Sequence, residues 1–409
     1  VSRRGMMRAV LADLSIPRYV LTAATRGRVP VGLLSLRDNL PAPTLPDAPG
    51  WVLLRTELAG ICGSDLAVAH AKSSPVLSAF YSARRQILGH EIVAVVQEIG
   101  PGVTAVEAGD RVVVDPVLSC VHRGFAPCRT CRDGFPYVCE RFDQPGAARC
   151  QSPTQGFDAA LGGGWGELIA AHETQLHRVG AMPARRAVLA EPASIGLHAA
   201  LRWPRRGDRA VVIGPGTIGL LTTAALRRLH PDLDITVVGP GAFSQEMAVR
   251  AGATRTMDPG PQVVEALAGL HGGRVIRPRI SRIPILEQGV DVVLDCVGLP
   301  GTIDLGLHLL RPTGMLVLVG GAGRQRVDWS LVWNRQLTVQ GTVNSGPEPA
   351  LDGRTTMSRV VEWLADPSYP VDDLVTHVFP LDRWRAALSA AAAGPRARAI
   401  KVTLRSPRE

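Results

Sequence analysis

Read for the spacing of its apolar positions, the chain changes texture part-way along. Between Trp51 and about Ala171 the apolar residues come in short runs separated by Gly and Pro, as in residues 51–58, 92–99 and 111–114. Short runs with frequent turn signals predict an irregular, mostly antiparallel β-domain. Near Glu191-Pro192 the pattern changes. Residues 193–201 read as a helix. An apolar run at 210–213, a Gly-rich turn, a helix through Leu229 and a second run at 235–238 follow in order. Further apolar runs at 290–294 and 315–319 are bounded by Gly. Strands alternating with helices predict a parallel, doubly wound sheet, so the chain is an α/β protein built on two textures. After Gly341 the character is mixed, and the chain ends in a β-like run at 399–404.

Two stretches fit neither texture. Residues 1 to about 50 mix short apolar runs with Pro-rich punctuation, and residues 275–284 (VIRPRISRIP) read as an insertion or long loop. The basic start, residues 1–8, has no long apolar stretch after it, so we expect no secretory signal and a cytoplasmic protein. The Met6-Met7 pair is read as the natural start behind a short leader.

The Gly-rich turn is the first piece of chemistry. Gly214-Pro215-Gly216-Thr217-Ile218-Gly219 follows an apolar strand and opens a helix. In that context the first Gly permits the tight turn, the second lets backbone approach a pyrophosphate, and the third lets helix and strand pack closely. The ribose of NAD is usually held by an acid roughly twenty residues on. Here the second run ends in Gly239-Pro240-Gly241. An acid there would repel a 2′-phosphate, so its absence permits NADP. No Arg stands there, although Ser244 offers a hydroxyl. The cofactor is therefore NAD(P), with a lean to NADP.

Composition narrows the partners. The chain has 409 residues, 46% of them hydrophobic, enough for two or three domains. No apolar run is long enough to span a membrane. The net charge of +9 raises the question of nucleic acid, but the arginines are scattered in pairs and form no block or stripe. We therefore expect a small-molecule substrate and no nucleic acid or membrane. Only Lys72 and Lys401 are lysines.

Seven cysteines are present. Four of them, Cys120, Cys128, Cys131 and Cys139, are clustered, which reads as a metal-binding loop rather than disulfides. A closed shell of four thiolates suits a structural zinc. Separately, Cys62 in Gly60-Ile61-Cys62-Gly63-Ser64-Asp65 precedes His90 and Glu91 in Gly89-His90-Glu91. Cys, His and Glu are all zinc ligands, and three protein ligands with an open position suit a catalytic zinc.

Together these segments resemble the zinc-dependent branch of the medium-chain alcohol dehydrogenase superfamily, the sorbitol, threonine and glucose dehydrogenase group. The segments 60–65, 89–91, the cysteine loop, Glu191-Pro192, 214–219, 291–298 and 314–321 carry the resemblance. It implies a GroES-like catalytic domain at 1–195 plus 345–409, with a structural-zinc lobe at about 118–142. It implies a Rossmann domain at 196–344 inserted between them, and an active site in the cleft. Cys62, His90 and Glu91 would lie at the catalytic zinc, with Glu191 a further ligand or the holder of a zinc-bound water. Ser64 would touch the substrate oxygen and pass its proton outward. Gly214 to Gly219, Gly239, Val297 and Val319 would bind the cofactor. The implied activity is hydride transfer between NAD(P) and an alcohol or polyol, or the matching ketone or aldehyde, possible in a specialised biosynthetic pathway. A dimer or tetramer is the usual assembly.

Two departures stand out. The family's relay His, five residues beyond the zinc Cys, is replaced by Ala67, with His70 three residues further. The first two lobe cysteines, usually two residues apart, are separated by seven. Two rival readings fit the same scaffold. One is a zinc-independent enone or quinone reductase of the same superfamily. The other is a non-catalytic binding or regulatory protein on this scaffold.

Overall fold

The computed structural model describes residues 5–25, 32–81, 83–280 and 282–407. The first four residues of the leader and Ser281 of the 275–284 stretch lie outside the described residues. The chain divides into two units. One comprises Val1–Glu191, Ser345–Asp366 and Val375–Glu409; the other comprises Pro192–Asn344 and Pro367–Leu374.

The first unit is built on a seven-stranded sheet whose central strand is Trp51–Gly60. That strand pairs antiparallel with Ile92–Ile99, Leu168–His172 and Lys401–Arg405. Val52, Leu54, Ile92, Ala94, Val112, Val114 and Ile169 form an apolar core on one side of it. The register decides what meets at the strand's end: Ala59 pairs with Ile92 and Gly60 with Thr403. Gly60 N donates to Glu91 O at 2.8 Å, and Ile61 N to Val402 O at 2.9 Å. Three distant segments, 60–65, 89–91 and 401–403, therefore converge at one sheet end.

The N-terminal stretch acquires an explanation. Met6–Asp13 pairs antiparallel with Leu34–Pro41 and with Arg85–Ile87, and the helix Ile16–Ala24 interrupts the first pair. Met7, Ala9, Val10 and Ala12 are buried in a second core with Trp165 and Trp384.

The second unit holds six parallel strands. Their spatial order is Arg255–Met257, Asp234–Val238, Arg209–Ile213, Val290–Asp295, Leu310–Leu318, Thr338–Gly341. This is the doubly wound order whose switch point lies where the chain turns from one flank of Arg209–Ile213 to the other. Helices Thr217–Leu229, Ala242–Arg250, Gln262–His271 and Pro300–Leu309 connect the strands. The three strands Asp234–Val238, Arg209–Ile213 and Val290–Asp295 are buried almost throughout, with Ile235, Val211 and Val293 at 0% exposure, as parallel sheets require. The 275–284 stretch is less irregular than its sequence suggests: Val275–Ile276 and Ile285–Leu286 pair as a short antiparallel hairpin.

Candidate zinc sites and dinucleotide turn

The ligand atoms of Cys62, His90 and Glu91 lie within 4.8 Å of one another. Each is placed by backbone. Cys62 caps the short helix Gly63–Ala69 at the end of the central strand, while His90 and Glu91 immediately precede Ile92–Ile99. Asp65, fully buried, holds the group together. Its Oδ2 accepts from Cys62 N at 2.9 Å, and its Oδ1 accepts from Gly89 N at 3.4 Å and lies 3.7 Å from His90 Nδ1. Burial alone would lower the His90 pKa, but Asp65 and the Cys62 thiol hold it well above the ordinary value. A carboxylate behind a histidine is the usual way to orient a zinc-ligating imidazole. A thiolate, an imidazole and a carboxylate converging in this way fit a catalytic zinc.

The sequence reading missed Lys401. Its Nζ donates to both carboxylate oxygens of Glu91, at 2.5 and 2.6 Å, and to Ile61 O at 3.2 Å. Both side chains are almost wholly buried, and Glu91 raises the Lys401 pKa against the opposing effect of burial. The carboxylate also packs onto Gly60, where a Cβ would come within 1.6 Å of Glu91 Oε2. Only glycine leaves it room. Gly89 is similarly constrained: its φ is +91°, and a Cβ would meet the Trp165 ring at 2.4 Å. Trp165 in turn donates its Nε1–H to Gly60 O at 3.1 Å. The Phe157 ring lies 5.3 Å from His90 and 4.8 Å from Tyr81, giving the group an aromatic wall.

Glu191 stands outside the 4.8 Å group. It is buried in the first turn of Ala190–Leu201. Burial, aided by the charge of Glu91, outweighs the pull of His90 and pushes its pKa up to about 8. Ser64 is exposed in the first turn after Cys62. Ala67, in place of the relay histidine, lies on the same helix.

The four lobe cysteines also bring their sulfurs within 4.8 Å of one another. Cys120 Sγ lies 3.6 Å and Cys128 Sγ 3.9 Å from Cys139 Sγ. Thiolates on a tetrahedral zinc at about 2.3 Å are roughly 3.8 Å apart, so the set fits that ion. The long spacing after Cys120 is absorbed by Arg123, which is 1% exposed. Its guanidinium donates to Ser119 O, Phe142 O and Ser152 O at 3.1, 2.8 and 2.8 Å, folding the extra residues under the lobe. The other two cysteines, Cys150 and Cys296, join neither cluster, and burial pushes both thiols up to about 12.

In the second unit, Gly214 has φ +97°, and a Cβ there would meet Val297 Cγ2 at 2.4 Å. A Cβ on Gly219 would come within 1.9 Å of Gly214 O, so strand and helix touch backbone to backbone. Gly216, the N-cap of Thr217–Leu229, has open space where its Cβ would be. Thr217 and Ile218 open that helix and Pro215 completes the turn. Asp295, missed from sequence, fixes the neighbouring loops. Its Oδ1 accepts from Val297 N at 2.9 Å and Gly298 N at 3.2 Å, and its carbonyl accepts from Val319 N at 2.9 Å and Gly320 N at 2.8 Å. Gly239 is held bare by Pro215, whose Cδ would lie 1.9 Å from any Cβ there. Ser244, suggested as a phosphate donor, is 1% exposed. Helix N-terminus, bare glycine and converging loops fit a dinucleotide.

The chain is similar to known proteins along most of its length. The alcohol dehydrogenase GroES-like domain family matches residues 48–181, and the zinc-binding dehydrogenase family matches residues 217–366. An erythritol/L-threitol dehydrogenase of Mycolicibacterium smegmatis is 28% identical over 87% of this chain and 91% of its own. An L-threonine 3-dehydrogenase of Pyrococcus horikoshii is 26% identical over 85% and 89%. The crystal structure of 2R,3R-butanediol dehydrogenase from Bacillus subtilis shares the fold, with a TM-score of 0.71 at 23% identity over 98% of this chain and 100% of that one. Among the described residues no helix is long and apolar enough to cross a membrane. The chain belongs to the zinc-containing medium-chain alcohol dehydrogenase superfamily and is an NAD(P)-dependent zinc oxidoreductase of that kind.

Proposed function

We propose that the chain interconverts a small secondary alcohol or polyol and its ketone, with Cys62, His90 and a carboxylate holding the catalytic zinc. The observation that carries this is the convergence of Cys62, His90 and Glu91 within 4.8 Å, from segments joined only by the sheet register. It favours this reading over a zinc-independent reductase. The similarity to dehydrogenases of erythritol, threitol and threonine supports a polar substrate with neighbouring oxygen or nitrogen groups.

When bound, the zinc would polarise the substrate oxygen and the nicotinamide would accept or give the hydride. The chain's own residues do the rest. Asp65 sets its charge beside the His90 ring, and Lys401 fixes the Glu91 carboxylate. Glu191, buried in the first turn of Ala190–Leu201, is a further ligand or holds a zinc-bound water. Ser64 Oγ, being exposed, takes the alcohol proton and passes one to solvent directly, which makes a histidine at position 67 dispensable. Gly214 to Gly219, Gly239, Val297 and Val319 receive the dinucleotide. Cys120, Cys128, Cys131 and Cys139 hold a structural zinc. Gly239 places no acid on its own strand, so the choice between NAD and NADP falls to the residues beside it. Assembly into a dimer or tetramer belongs to the same proposal, and light scattering on the purified protein tests it.

The functional test is a panel of polyols, 1,2-diols, β-hydroxy amino acids and simple alcohols, followed by absorbance of the reduced nicotinamide. Turnover confined to secondary alcohols with a neighbouring polar group supports the proposal. Reduction of enones by protein stripped of zinc refutes it.

A further inference from the structure

Gly239 occupies the place where this fold usually carries its ribose-binding acid, and Pro215 keeps it bare. The acid is present one strand over. The parallel register pairs Val237 with Thr256 and Val238 with Met257, and Gly239 N donates to Met257 O at 3.0 Å. The residue after Met257 is Asp258, set beside Gly239 at the neighbouring strand end. One side chain joins the two positions: Gln245 Nε2 donates to Gly239 O at 3.0 Å and to Asp258 Oδ1 at 2.9 Å. The turn carrying Asp258 is held by Gln262 Nε2, which donates to Asp258 O at 3.3 Å and Pro259 O at 3.2 Å.

Beside Gly239 the local charge is therefore negative. Within residues 239–245 and 256–260, Asp258 is the one charged side chain, and it is exposed. The arginines nearest in sequence are committed elsewhere: Arg250 to Glu246 and Asp373, and Arg255 to Asp234. The lean to NADP drawn from Gly239 counts only its own strand. We infer that Asp258, aimed by Gln245, accepts hydrogen bonds from the adenosine ribose hydroxyls and makes the chain prefer NAD to NADP. A carboxylate there gains charge-assisted bonds from a free 2′-hydroxyl and meets a 2′-phosphate as a like charge. The inference rests on the dinucleotide reading of the Gly214–Gly219 turn.

The test is a titration of the full purified chain with NAD and, separately, NADP, read by tryptophan fluorescence without substrate. NAD should bind roughly tenfold or more tightly than NADP. Asp258→Asn should remove most of that ratio, and circular dichroism should show an unchanged melt because the residue is exposed. Gln245→Arg, which offsets the Asp258 charge with a cation beside it, should move the preference toward NADP. An equal or NADP-favouring ratio in the unmodified chain overturns the inference, as does an unchanged ratio in Asp258→Asn. Those results leave the dinucleotide site standing. Failure of both nucleotides to bind the unmodified chain overturns the site itself and the inference with it.

Discussion

Replacing Lys401 by Met should destabilise the first unit severely, and a second substitution should undo most of the damage. The Lys401 and Glu91 side chains are 3% and 1% exposed and make two hydrogen bonds, at 2.5 and 2.6 Å. Removing the ammonium strands a carboxylate in a site that water does not reach. Such a loss typically costs about 3–5 kcal/mol, a large fraction of a total stability of roughly 5–15 kcal/mol. With a urea slope of about 2–3 kcal/mol/M, the midpoint of that unit's transition should fall by roughly 1–2 M. Glu91→Gln is nearly isosteric and keeps the fit over Gly60, so adding it to Lys401→Met removes the stranded charge. The double variant should recover most of the loss, giving a coupling energy above about 2 kcal/mol in a double-mutant cycle. The assay is urea unfolding by circular dichroism on all four proteins. Zinc content is read on each, so that metal release is separated from loss of the ion pair. A cost below about 1 kcal/mol for Lys401→Met, the range of an exposed pair, would refute the reasoning. So would a double variant no more stable than the single one.

Arg123→Ala leaves three carbonyls without their donor, two of them in buried contacts, at about 1–3 kcal/mol for each buried one as an upper range; zinc analysis should show loss of one metal per chain together with a lower melting temperature. Gly239→Ala drives a methyl into Pro215 and should weaken nucleotide binding about tenfold or more by fluorescence titration, while Pro215→Gly in the same chain should restore part of it. His177 has a pKa that burial pulls down from 6.5 to about 4. It is neutral in both states above about pH 6.5, so it costs nothing there. Below that pH the unfolded chain takes up a proton that the fold refuses, and stability drains until about pH 4. Urea midpoints measured across that window should fall less steeply in His177→Gln.

Both halves of the fold were legible where the signals are local. The Gly214–Gly219 turn announces itself because strand, turn and helix are consecutive, and the same holds for Cys128-x2-Cys131. What escaped depends on pairing between distant segments. Lys401 meets Glu91 across 310 residues, and in sequence it is one lysine at the head of an apolar run. A lysine beginning a strand that otherwise reads as buried was the available signal. Asp258 becomes relevant only through the strand register, and Asp295 through two contacts its carbonyl makes with the loop after the neighbouring strand. The N-terminal sheet was unreadable because Met6–Asp13 and Leu34–Pro41 lie on either side of a helix, so their pairing is not local. The spacing after Cys120 looked like a defect in the zinc lobe, but Arg123 turns the extra residues into a folded support.

The central claim, that Cys62 and His90 hold a catalytic zinc distinct from the one in the cysteine lobe, is tested most directly by counting zinc in Cys62→Ser. The unmodified chain should carry two zinc ions. The variant should keep one, bind NAD(P) normally and lose dehydrogenase turnover by about three orders of magnitude or more, as expected when Lewis-acid stabilisation worth several kcal/mol is removed. A variant that keeps both ions, or that turns over at full rate with one, would contradict the account.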